Sequence, residues 1–177
     1  IMGFFNGIIE PIITLENAIA AGRLVPYEYF PVTVYLSAEE EAEYTKWTKK
    51  ISDYIRFSGL DQEQIFSEQQ LKIMFLNRAR IVKKAVAKEP SAVEIITNNF
   101  SNEEHWLVYC EDSDQLSRVE HDLRANGIRT FTYISDLQNG VPEEELRAFK
   151  EKRGVLLSIR CLDEGIDIPV ISHAVII

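Results

Sequence analysis

The sequence predicts an α/β fold: a parallel sheet covered by helices on both faces, with a helical appendage in front of it. Three observations predict it. From about residue 92, apolar runs of strand length alternate with helix-length amphipathic stretches through short connections, the rhythm of βαβ units. The first of these runs is continuously apolar, as expected where both faces of a strand are covered. Before residue 90 the pattern is mostly helical. The chain therefore reads as three segments: 1–36, a connector with a first strand; 37–90, a helical insert; and 91–177, the α/β domain.

The elements follow in order. The apolar start "IMGFFNGIIEPII" has no basic leader and contains Glu10 and Pro11, so it reads as part of a fold and not as a signal peptide. Thr14 can cap a short helix that Gly22 stops. "FPVTVYL" alternates apolar and polar residues with β-branched enrichment, which predicts a strand from Val32 to Leu36. Ser37 and Glu40 have the spacing of a capping box and open a helix to about Phe57, with Gly59 beyond it. Asp61 can cap another helical stretch, which continues to Pro90 and ends in the chain's only basic cluster, Arg78, Arg80, Lys83, Lys84 and Lys88. That cluster has two readings: a solvated face that complements the helix dipole, or a nucleic-acid contact.

In the α/β segment "HWLVYC" is the first strand. Ser113 then caps a helix that brings Leu116, Val119 and Leu123 onto one face and stops at Gly127. "IRTFTYI" is the second strand. The polar stretch "SDLQNGVP" leads into "EEELRAFKEKRG", whose acidic start and basic end match the helix dipole. "VLLSI" and "HAVII" are the last two strands. In open parallel sheets ligands bind beyond the carboxyl ends of the strands. "RCLDEGID" lies there, where Gly165 allows close backbone approach and Asp167 offers a carboxylate to a hydroxyl or a water.

Composition narrows the function. The chain has 177 residues, 46% of them hydrophobic, enough for a core. It has no apolar run of the roughly 20 residues that cross a bilayer, so no membrane role is expected. Its net charge of −9 argues against a free-standing nucleic-acid binder, though not against a module lending a few contacts to a larger machine. Cys110 and Cys161 lack metal-ligand spacing and read as reduced thiols of a cytoplasmic protein. His105, His121 and His173 lack zinc spacing, and no metal site is expected. Ser158, Ser172 and Cys161 lack the partner pattern of a nucleophile. A Rossmann dinucleotide site is disfavoured because no G-x-G-x-x-G follows the first strand.

The wording of the late turn adds a resemblance. "VLLSIRCLDEGIDIPVISHAVII" resembles motif V of superfamily 2 helicases and translocases, in which an apolar strand leads into E-G-I-D-x-P. "HWLVYCEDSDQLSRVEHDLRANGIRTFTYI" resembles their motif IV strand with the helix and strand after it, and "EEELRAFKEKRG" their helix carrying L-x-x-F. "NAIAAGRLVPYEYFPVTVYLSAEEEAEY" is similar to the segment that leaves the first motor domain in the branch of excision-repair helicases and type I and III restriction translocases.

The resemblance implies that 91–177 is a second RecA-like domain, a three-layer half like those of P-loop NTPases, that closes over ATP held by a first RecA-like domain of the same polypeptide. It implies that Gly165 and Asp167 lie at the interdomain ATP site. It also implies backbone contacts to nucleic acid near Ser158, Ile159 and Arg160, with Arg78, Arg80, Lys83 and Lys84 as further candidates from the insert. The family often has Thr where Ile159 stands, and Ile cannot donate to a phosphate. Glu111 and Asp112 follow the motif IV strand; carboxylates repel phosphate, so no contact is carried over to them, and they read as acidic residues at a helix start.

No G-x-x-x-x-G-K-[ST] loop, no D-E-x-[DH] sequence and no arginine motif VI occurs in the chain. Phosphoryl transfer draws its positioning and charge stabilisation from such groups. These 177 residues are thus expected to be a fragment truncated before motif VI, with no catalytic residue of its own and inactive alone. ATP and Mg2+ would be bound by the full-length DNA-dependent ATPase, in repair or restriction, and not by the fragment. DNA is the expected polymer, with RNA left open. The alternative is a non-catalytic, motor-like interaction module that binds a protein partner, for which the charge of −9 is natural.

Overall fold

Four strands pair side by side in the computed structural model of the chain, which describes residues 14–59, 65, 67–134, 143–159 and 168–177. They are β1 (His105–Cys110), β2 (Thr130–Ile134), β3 (Gly154–Ile159) and β4 (His173–Ile176), in the order β2-β3-β1-β4 and all parallel. Register brings the carboxyl ends level: Ile134 and Cys110 each pair with Ile159.

Side chains alternate across the sheet. On one face Trp106, Val108, Cys110, Val155 and Leu157 form a core with Leu116, Val119 and Leu123 of α5 (Ser113–Ala125) and Ile96 of α4 (Lys88–Asn99). On the other face Leu107, Phe131, Tyr133 and Leu156 pack with Phe149 of α6 (Glu143–Lys152) and with Ile168. Topology explains why α5 and α6 fall on opposite faces. The β1–α5–β2 crossover runs past β3 in one direction, and β2–α6–β3 returns in the other. Crossovers of one hand that run in opposite directions cover opposite faces. The result is three layers, as expected. The expected α5 stripe of Leu116, Val119 and Leu123 is 0–3% exposed.

By contact the chain divides into Ile1–Thr33 and Val34–Ile177. In the first unit α1 (Leu15–Ala20) starts as expected, with the Thr14 hydroxyl accepting from the Asn17 N–H at 3.2 Å. In the second, α2 (Ala38–Ser58) carries the expected capping box: Glu40 N–H donates to Ser37 Oγ at 3.2 Å, and Ser37 N–H to Glu40 Oε2 at 2.8 Å. Gly59 ends α2 at φ 66°. α2 packs on α3 (Gln69–Lys83), where Ile51 and Leu71 are buried.

Several expectations need correction. Residues 31–37 form no strand, and Val32 and Tyr35 are exposed. A strand needs a neighbour for its backbone groups, and β-branched composition cannot supply one. The helical stretch before Pro90 breaks at residues 84–87, and Pro90 sits in the first turn of α4, where a missing N–H costs nothing. Ile96 of α4 then joins the core of the sheet. The cap of α5 is Asp112, not Ser113; its Oδ1 accepts from the Gln115 N–H at 2.9 Å. The expectations for "IMGFFNGIIEPII", Asp61, "SDLQNGVP" and Cys161 lie outside the described residues. Among the described residues no helix is long and apolar enough to cross a membrane.

Candidate functional site

The connections leaving β1 and β3 explain where a site can form. β1 leads through α5 on one face, while the chain after β3 returns through Ile168 and Ile171 on the other before reaching β4. Two adjacent strands whose connections diverge to opposite faces leave a crevice beyond their carboxyl ends. Glu111 and Asp112 form its rim after β1, and Ile159 ends β3 beside them.

The rim is built from short polar contacts. Glu111 N–H donates to the Gln115 side-chain oxygen at 2.8 Å, while Asp112 caps α5. Gln115 is 1% exposed, and among the described residues its Nε2 has no hydrogen-bond partner. Lys83, at the end of α3, donates to both Glu111 carboxylate oxygens at 3.2 Å, and Lys84 pairs with Asp112 Oδ2. The Lys84 hydrogen bond, then the Gln115 N–H, holds the Asp112 carboxyl below its usual range. Next to this rim, Arg118 grips Glu89 with two bonds of 2.7 Å and joins α4 to α5. Burial, with Glu89 and Asp112 nearby, pushes the Cys110 thiol up to about 12, so this buried free thiol stays protonated and unreactive at neutral pH.

The residues expected at a site are only partly brought together. Lys83 and Lys84 reach the rim. Arg78 stacks over Tyr44 and Phe75, 5.4 and 5.5 Å from their centroids, and Arg80 is exposed on α3. Ser158 is 0% exposed, in register between Tyr109 and Tyr133. Both faces of β3 are covered, so Gly154 to Ser158 are all buried. Arg160, Gly165 and Asp167 lie outside the described residues. What sequence reasoning missed is the pairing of Glu111 and Asp112 with Lys83 and Lys84. Residues 28 positions apart carry no local signal for it. The three histidines join no cluster of metal-ligating residues among the described residues.

The cap and the ion pair of Asp112 are separable by mutation. Asp112→Ala is expected to cost about 1 kcal/mol through the lost cap, whereas Asp112→Asn keeps a capping oxygen and loses only the charge. The lowered carboxyl contributes stability that is present above the ordinary aspartate range near pH 4, and it is lost as pH falls through the lower folded value. Urea unfolding at about pH 6 and about pH 3 should therefore show the gap between wild type and Asp112→Asn closing in acid. A gap that stays constant would rule out this role for the charge.

Fold and rim together define a class: a parallel α/β/α domain with a polar turn, Glu111 and Asp112, at the carboxyl edge of its two central strands. The sequence profile described as "Helicase conserved C-terminal domain" matches residues 87–177, which is α4 to the end of the chain and just over half of it. The chain belongs to that family. No curated protein matches the chain. Among solved structures it is similar to one titled "Crystal structure of Pyrococcus furiosus Hef helicase domain", with 18% identity and a TM-score of 0.44. That match covers 77% of this chain but spans only 30% of the other. The fold rests on the strand order and the crossovers themselves.

Proposed function

We propose that this chain is part of the second RecA-like domain of an ATP-dependent superfamily 2 DNA helicase or translocase. The observation that carries the proposal is the family match over residues 87–177, within which E-G-I-D-x-P follows β3 in the sequence. In this reading a first motor domain of the same polypeptide holds ATP and Mg2+, and this half closes over it. Gly165 and Asp167 line the interdomain side of that site. Glu111 and Asp112 do not suit a triphosphate, since their carboxylates would repel it, so no contact to ATP is assigned to them. Repeated closing and opening moves the two halves along a nucleic-acid backbone, with Arg160 and the basic end of α3 as the contacts from this half. The setting is intracellular, in DNA repair or restriction.

The test is ATP hydrolysis with and without duplex DNA, by this chain and by the natural full-length protein that contains it. The expected result is DNA-stimulated turnover by the full-length protein and none by the chain alone, which lacks the phosphate loop. A full-length protein inert with every nucleic acid would replace the motor reading with that of a protein-binding module.

A further inference from the structure

The end of α3 is tied to the sheet edge by charge. No residue of α2 or α3 belongs to either apolar core of the sheet. Lys83 instead meets Glu111, and Lys84 meets Asp112. The lysine side chains keep 53% and 51% of their surface exposed, and the carboxylates keep 21% and 29%. The acids thus belong to the rim of the sheet, and the lysines reach in from outside. Ion pairs this exposed are weak and are screened by salt.

The rim does not need the lysines to hold its shape. Asp112 uses Oδ1 to cap α5 and Oδ2 to meet Lys84, so the second contact can be lost while the first remains. Glu111 is held through its backbone N–H by Gln115, independently of its carboxylate. The two carboxylates therefore sit on a turn that stays built whether or not the lysines are there. Each also presents to a lysine the anionic oxygens that a backbone phosphate would present.

We propose that Glu111 and Asp112 act as internal stand-ins for phosphate, a latch that occupies Lys83 and Lys84 until nucleic acid displaces it. The inference rests on the nucleic-acid reading above and adds its regulation: the basic end of α3 binds a backbone only by exchanging two carboxylates for two phosphates. While the latch is closed, two of the five cations of the basic cluster, Lys83 and Lys84, are paired with carboxylates. Opening it releases the side chains of two cations at once.

Fluorescence anisotropy with labelled duplex DNA tests this on three proteins: wild type, Glu111→Gln with Asp112→Asn, and that pair combined with Lys83→Gln and Lys84→Gln. The doubly substituted protein is expected to bind about tenfold more tightly at low salt, with a log–log salt dependence steeper by about two, near 0.9 for each phosphate contact regained. The fourfold substitution should lose that gain. Equal affinity and slope for wild type and the double variant overturns the exchange and leaves the nucleic-acid reading standing. If none of the three binds, both fall. Hydrogen exchange at residues 84–87, which should quicken in the double variant and in salt, then shows whether a latch exists apart from nucleic acid.

Discussion

Gly154→Ala is expected to destabilise the α/β unit by roughly 3 kcal/mol or more, from backbone strain of about 1–3 and overpacking of about 1–3 kcal/mol. Gly154 opens β3 at φ 140°, a conformation that L side chains rarely adopt. A Cβ there would lie 2.6 Å from the Arg129 carbonyl oxygen and 3.1 Å from the Phe131 ring. The carbonyl cannot retreat cheaply, because it accepts the Val155 N–H at 2.9 Å at the start of the β2–β3 ladder. The residue before it, Arg153, already has a positive φ of 56°. Gly127→Ala is the matched control: φ is 75°, but nothing lies within 4 Å of an added Cβ, so only the left-handed backbone cost of about 1–2 kcal/mol applies. Urea unfolding of the two variants compares them directly. Against a total stability on the order of 5–15 kcal/mol, Gly154→Ala should lower the midpoint far more than Gly127→Ala. Equal losses would mean that the close approach to Arg129 does not limit the fold.

Asp167→Ala, made in the natural full-length protein, is expected to lower DNA-stimulated ATP hydrolysis by roughly a hundredfold, the scale on which losing a group that positions a hydroxyl or a water acts on the rate. DNA binding without nucleotide should change little, since the substitution removes one carboxylate and no cation. This pattern follows from the proposed function, in which Asp167 works at the interdomain ATP site. Near-normal turnover would remove Asp167 from that site. A parallel loss of turnover and of DNA affinity would assign it to the nucleic-acid side.

The α/β part was legible because each of its elements carries a local signal that tertiary structure had no reason to override. β1 occupies the whole of "HWLVYC", an apolar run covered on both faces. α2 begins at the expected capping box and ends at the expected glycine, because both signals act within one turn. Where signals competed over a residue or two, local reading slipped. Asp112 took the cap from Ser113, since its carboxylate reaches the Gln115 N–H while Lys84 steadies it. The strand expected at Val32 to Leu36 failed for a different reason. Its composition suits a strand, but among the described residues no paired neighbour completes it.

The sequence alone determined the class of fold, the helical character of the segment ahead of it, and the acidic, glycine-containing stretch after β3 whose wording led to the helicase resemblance. All of these depend on residue types and spacings within about 20 positions, the range over which periodicity and caps operate. Only the tertiary structure decided the strand order β2-β3-β1-β4, the burial of Ser158 and the meeting of Lys83 and Lys84 with Glu111 and Asp112. These depend on which surfaces come together once the chain has closed. Charge pairs between residues 28 apart follow from how α3 and the sheet edge are packed, and no spacing in the chain encodes that.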